Sequence, residues 1–196
     1  MKKLAEKLRN KSLPDLRTLT VGILSYAGFL RFDEVSTIRR EFVTFHRSYV
    51  KLFIPHSKTD QHCIGGYVLI TKTGSSTCPF NILKSYLQKA NVGSRGFIFR
   101  GMQKAKGGHT LRRMDKPVSY TTLRKDILEA VNSVGLDKSK FGLHSMRRGG
   151  ATQAASAGVN DRLFKKHGRW KSEKAKDGYV AEDLNAILSV SRSLGI

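Results

Sequence analysis

A chain of 196 residues with 39% hydrophobic composition is long enough for one domain with a packed core, and no apolar run approaches the roughly 20 residues that would span a bilayer. Its 36 Lys and Arg against 15 Asp and Glu leave a net charge of +21, more than solubility asks for. This favours a polyanionic partner, nucleic acid first, although basic tails or a ribosomal or membrane-surface role would give the same number.

The scattered carboxylates do not form the clusters with which two-metal nucleases hold their ions. The two cysteines, Cys63 and Cys78, are separated by fourteen intervening residues, and His62 points away from Cys63 if the segment is a strand, so neither a metal nor another cofactor is expected. Unpaired cysteines without a signal peptide point to an intracellular setting, the nucleus in a eukaryote or the cytoplasm in a bacterium.

In chain order, residues 1–12 read as a short basic N-terminal segment, and Ser12-Leu13-Pro14-Asp15 as a helix entry. Leu16, Leu19, Ile23, Leu24 and Ala27 recur at helical spacing and bury one face, with Gly28 loosening the backbone before Arg31. Three strands over 42–45, 49–54 and 67–70 predict a small antiparallel sheet with Lys58 near a hairpin tip. Residues 79–90 predict an amphipathic helix, Phe97-Ile98-Phe99 a short strand or buried anchor, and 100–116 a mobile basic loop. In that loop Lys104, Lys106, His109, Arg112 and Arg113 are candidates to track a DNA backbone, or simply a solvated surface. Thr121 or Thr122 predicts the cap of a helix ended by Gly135, and 145–157 a helix whose N-terminal partial charge lies near His144 and Arg147. Leu184, Ile187, Leu188 and Ser191 or Leu194 predict a last amphipathic helix, and Gly178 a flexible mount for Tyr179.

The most telling stretch is Gly142-Leu143-His144-Ser145-Met146-Arg147-Arg148, followed by Trp170 and Tyr179, with Arg31 and Lys58 far upstream. Arginine offers a rigid fork of donors to phosphodiester oxygens, histidine moves protons near neutral pH, and tyrosine is an oxygen nucleophile. Alone, each has a blander reading: a solvated Arg, a capping His, a packed Tyr. Their order and spacing describe phosphoryl transfer onto a tyrosine.

From about Leu13 to its end the chain resembles the tyrosine recombinases, the lambda-integrase-like DNA strand exchangers. Arg31 followed by Glu34 has the form of the family's first arginine and its glutamate, and Ser57-Lys58-Thr59-Asp60 that of its hairpin lysine. His144 and Arg147 match the His-x-x-Arg box, and Trp170 stands nine residues before Tyr179, where the family has histidine or tryptophan; His167, twelve residues before, is read as a neighbour. The wording Gly168-Arg169-Trp170-Lys171-Ser172 is similar to crypton-type eukaryotic mobile-element recombinases.

The resemblance implies an α+β fold, a mostly helical catalytic domain over 13–196 with a small antiparallel β-sheet, and without the helical DNA-gripping domain that normally precedes it. It implies metal-independent cleavage and rejoining of DNA through a 3′-phosphotyrosine, in site-specific recombination or mobile-element integration. Arg31 and Arg147 would stabilise the pentacoordinate phosphate and His144 would relieve Tyr179 of its proton, a free phenol being mostly protonated at pH 7. Lys58 would protonate the departing 5′ oxygen, Trp170 would donate its indole N–H to the phosphate, and Glu34 would orient His144 or Arg31, with His167 beside them. Arg148 joins Lys104, Lys106, Arg112 and Arg113 as a DNA-contacting candidate. Docking of the last helix into a neighbouring protomer would give a tetramer on DNA, against docking on its own body. A DNA-binding remnant without strand exchange and a type IB topoisomerase-like activity are the alternatives.

Overall fold

The structure, a computed structural model, describes residues 1–56 and 64–180 together with 188 and 192. Its organising element is α2 (Leu13–Ala27), preceded by α1 (Lys2–Leu8). A full capping box starts α2: Ser12 Oγ accepts the Asp15 N–H while the Asp15 carboxylate accepts the Ser12 N–H, with Pro14 in the first turn. The spacing of its leucines predicts one buried face, yet Leu13 and every residue from Leu16 to Ser25 are buried. Other elements cover α2 on all sides, so its polar members must find partners. Thr18 and Thr20 donate to the carbonyls four residues back, and Arg17 donates to the Arg100 carbonyl and to Asp126 at 2.7 Å. The N-terminal segment joins this core through Leu4, Ala5 and Leu8 of α1.

A short helix, α3 (Phe32–Ser36), leads into the sheet formed by β1 (Val43–Phe45), β2 (Tyr49–Ile54) and β3 (Gly66–Thr71). The strands lie antiparallel in the order β1-β2-β3, with Val43 opposite Leu52 and Val50 opposite Ile70. Val50, Leu52 and Ile54 alternate inward, the period of a half-buried strand. Ile70 and Val68 pack on Gly28, where a side chain would crowd both.

The helix α4 (Pro79–Lys89) follows, and Ile98 and Phe99 then form the anchor, fully buried, with the Ile98 carbonyl accepting the Tyr86 hydroxyl at 2.8 Å. Residues 100–116 are not a loose loop. They contain a hairpin of β4 (Met102–Ala105) and β5 (Gly108–Leu111), with Ala105 opposite Gly108 and Gly107 at φ 87° in the turn. The helix α5 (Tyr120–Ser133) is capped by Ser119, whose hydroxyl accepts the Thr122 N–H, rather than by Thr121 or Thr122. Next come α6 (Leu143–Ser156), α7 (Asp161–Gly168) and α8 (Glu173–Asp177). Gly150 lets α6 approach α2 closely, since a Cβ there would land on the Tyr26 carbonyl oxygen. Gly178 caps α8 at φ −60°, so it stands at a helix end rather than in a helix interior. Of the predicted last helix, Leu184, Ile187, Ser191 and Leu194 lie outside the described residues, while Leu188 is helical and exposed.

Candidate active site

The end of α2 sets the first half of the site. Gly28 closes the helix and Phe29 takes a left-handed conformation, φ 47°, with the Leu30 N–H returning to the Ser25 carbonyl. A β-carbon in that region costs about 1–2 kcal/mol, and the surroundings hold it there. The Phe29 ring is buried edge-on against Phe164 and His167. Its carbonyl is thereby turned toward α6 and the end of α7, and Arg31 emerges two residues later as the N-cap of α3.

Arg31 is held by Glu34, which accepts the Arg31 backbone N–H at 2.8 Å and its Nη1 at 3.0 Å. Glu34 is buried, and it gathers cations from three parts of the chain. Arg169 Nη2 donates to Oε2 at 2.7 Å, and Arg147 Nη1 lies 3.7 Å from the same oxygen. Both carboxylate oxygens are occupied by arginine donors, so of the two candidates for Glu34 it is Arg31, not His144, that the carboxylate holds. The guanidinium groups of Arg31 and Arg147 therefore converge on one carboxylate.

Arg147 is fully buried on α6, donating from Nη1 to the Phe29 carbonyl and from Nη2 to the Gly168 carbonyl at 3.1 Å. Its Cζ lies 4.5 Å from the centre of the Tyr179 ring and 5.2 Å from that of Trp170. Burial, reinforced by repulsion from Arg31, pushes its pKa down to about 10, so it stays charged at neutral pH. The Trp170 and Tyr179 rings are 5.7 Å apart, and the buried Trp170 Nε1 has no hydrogen-bond partner among the described residues. A buried donor left open is a group in want of an acceptor.

A cleft of about 520 Å³ opens in front of this cluster, lined by Arg31, Glu34, His56, Tyr120, His144 and Tyr179 among others. His144 is exposed in the first turn of α6 and faces that cleft. Arg147 and Trp170 lie behind Tyr179 as its buried wall. Lys58 lies outside the described residues; His56, two positions earlier, borders the cleft.

His167 turns elsewhere. It donates from Nε2 to the Ala27 carbonyl at 2.8 Å and lines a separate, mostly apolar hollow of about 1010 Å³ between the sheet and α6–α7. Burial lowers its pKa, so it acts as a neutral prop for the turn before Arg31. Lys104, Lys106, Arg112 and Arg113 are exposed on and just after the β4–β5 hairpin, and Arg148 is exposed on α6 beside Arg147.

The residue that spacing alone missed is Arg169. Its backbone is left-handed, φ 55°, where helix ends usually place glycine, and its side chain reaches the carbonyls of Gly28, Phe29 and His167 as well as Glu34. Segment α8, which leads to Tyr179, is fixed to α7 by ion pairs of Lys176 with Asp161 and Lys165 with Glu173, both at 2.5 Å.

No family model matches the sequence. A protein described as an integrase/recombinase XerD homolog, from Selenomonas ruminantium, is 31% identical over 180 residues, which cover 91% of this chain and 51% of that protein. The chain spans about half the length of the relative it matches. Among solved structures, the XerH site-specific recombinase in a post-cleavage complex with palindromic difH substrate superposes with a TM-score of 0.69 at 16% identity, over 97% of this chain and 49% of that one. The XerA recombinase gives a TM-score of 0.69 at 18% identity, over 98% of this chain and 60% of its own. These structural likenesses carry the fold, and the crypton-like wording of 168–172 rests on the sequence alone. Kinship along nine-tenths of the chain, joined to a fold shared over nearly its whole length, makes the chain similar to the tyrosine recombinases and integrases.

Proposed function

We propose that this chain cuts and rejoins a strand of duplex DNA through a covalent 3′-phosphotyrosine at Tyr179, in site-specific recombination or mobile-element integration. The observation that carries the reading is the gathering of Arg31 and Arg147 on one carboxylate beside the Tyr179 ring, with Arg31 and Tyr179 lining an open cleft. In this reading the Tyr179 hydroxyl oxygen attacks the scissile phosphorus, its proton passes to His144, and the bond to the 5′ oxygen breaks. Lys58 supplies the proton that the 5′ oxygen takes up. Attack by a 5′ hydroxyl on the phosphotyrosine reverses every step and reseals a strand.

Arg31 and Arg147 supply the fixed positive charge, each preorganised donor being worth about 3–4 kcal/mol of barrier, and the Trp170 N–H finds its acceptor in the phosphate. Since guanidinium groups neutralise the transition state, cleavage is expected to proceed in the presence of a chelator. The exposed cations of the β4–β5 hairpin and Arg148 would follow the DNA backbone. We further propose assembly into a tetramer on DNA through the C-terminal segment.

A nicked suicide duplex tests the reading. Wild-type protein in EDTA is expected to become covalently linked to a 3′ end, and Tyr179→Phe to give no adduct. No adduct with wild type, or an equal amount with the variant, would overturn it.

A further inference from the structure

We propose that Arg169 is a positioning residue for strand cleavage, pinning the turn that carries Arg31 to the turn that carries Trp170. The inference rests on reading Tyr179 as the nucleophile and adds a residue that the recombinase pattern does not supply. Arg169 directly precedes Trp170, and its guanidinium spans the chain to Glu34 at 2.7 Å and to the carbonyls of Gly28 at 3.3 Å and Phe29 at 3.4 Å. Those groups flank Arg31 on both sides. Two left-handed non-glycine residues, Phe29 and Arg169, thus face and bond each other, each holding its turn in a conformation that a side chain disfavours.

The charges explain why a side chain is kept where glycine would relax the backbone. Glu34 Oε2 is shared between the Arg31 N–H and Arg169, while Arg147 stands off at 3.7 Å and binds the Phe29 and Gly168 carbonyls instead. Without Arg169 that oxygen is open to Arg147. A direct Arg147–Glu34 pair would draw the fork toward the carboxylate and away from the ring of Tyr179. The net charge of the cluster of Arg31, Glu34, Arg147 and Arg169 would also fall by one. Arg169 therefore keeps the Arg147 guanidinium off the carboxylate and against the ring of Tyr179.

The test compares Arg169→Gly, which suits the left-handed backbone, with Arg169→Lys, which keeps the charge but not the fork. At saturating suicide duplex, Arg169→Gly is expected to slow adduct formation about 10- to 100-fold, with the half-saturating DNA concentration moved less than about threefold. Arg169→Lys should recover part of the rate. Trp170 is the only tryptophan, so its emission reports the same turn in the free protein, and it should shift to the red in Arg169→Gly. Wild-type cleavage rates in both variants, or an unshifted emission in Arg169→Gly, would overturn the inference. Should Arg169→Gly fail to fold, Arg169→Lys decides: a slower adduct supports the proposal and an unchanged rate refutes it. If wild type itself gives no Tyr179-dependent adduct, the nucleophile reading falls, while the emission arm still judges whether Arg169 holds the turn.

Discussion

Glu34→Gln removes the one negative charge on which three arginines meet. The side chain is 2% exposed, and its oxygens accept from Arg31 Nη1 at 3.0 Å, the Arg31 N–H at 2.8 Å and Arg169 Nη2 at 2.7 Å. A glutamine keeps the shape but has one acceptor oxygen. Whichever way its amide turns, the NH2 group faces an arginine donor, so at least one charge-assisted bond is lost and three cations are left uncompensated. Breaking a buried pair from one side costs about 3–5 kcal/mol. Arg31 and Arg169 each retain 13% side-chain exposure, and water at these edges screens part of the repulsion, so the lower end, about 3 kcal/mol, is expected. With a urea dependence of about 2 kcal/mol per molar, the unfolding midpoint should drop by about 1.5 M. A loss below about 1 kcal/mol would refute the view that this carboxylate holds the site together.

Two further outcomes follow from the same geometry. Burial lowers the pKa of His167, so the unfolded chain binds more protons as pH falls through the ordinary histidine value of about 6.5, and stability is lost on going from pH 7.5 to 5.5. His167→Gln, which still donates to the Ala27 carbonyl, should lose less over that interval in urea titrations, and an equal loss would contradict the assignment. Replacing Lys104, Lys106, Arg112 and Arg113 together by alanine should lower the slope of log affinity against log salt by about 3–4 for duplex DNA, while an unchanged slope would make the hairpin a solvated surface.

The parts of the fold legible in the sequence are those whose signal is periodic. The capped entry to α2, the alternating β2 and the Pro79 start of α4 each follow from local residue choice. The β4–β5 hairpin escaped because only Leu111 among its strand residues is buried, leaving no apolar alternation to read. The all-round burial of α2 depends on helices far along the chain, and its Thr18, Thr20 and Arg17 read as surface until their partners are seen. In the site, Arg31, Glu34, His144, Arg147, Trp170 and Tyr179 were legible from order and spacing. Arg169 was not, because its partners at the turn of Gly28 to Glu34 lie 135 to 141 residues away and nothing in its neighbours announces them. His167, read as a neighbour of the site, faces Ala27 and props the turn before Arg31.

The measurement closest to the central claim is to locate the covalent bond. After reaction with a suicide duplex, nuclease trimming and trypsin digestion, mass spectrometry should find the residual nucleotide on the peptide of residues 177–192, which holds one of the six tyrosines, Tyr179. Attachment to a peptide bearing Tyr26, Tyr49, Tyr67, Tyr86 or Tyr120, or to a serine, would contradict the account.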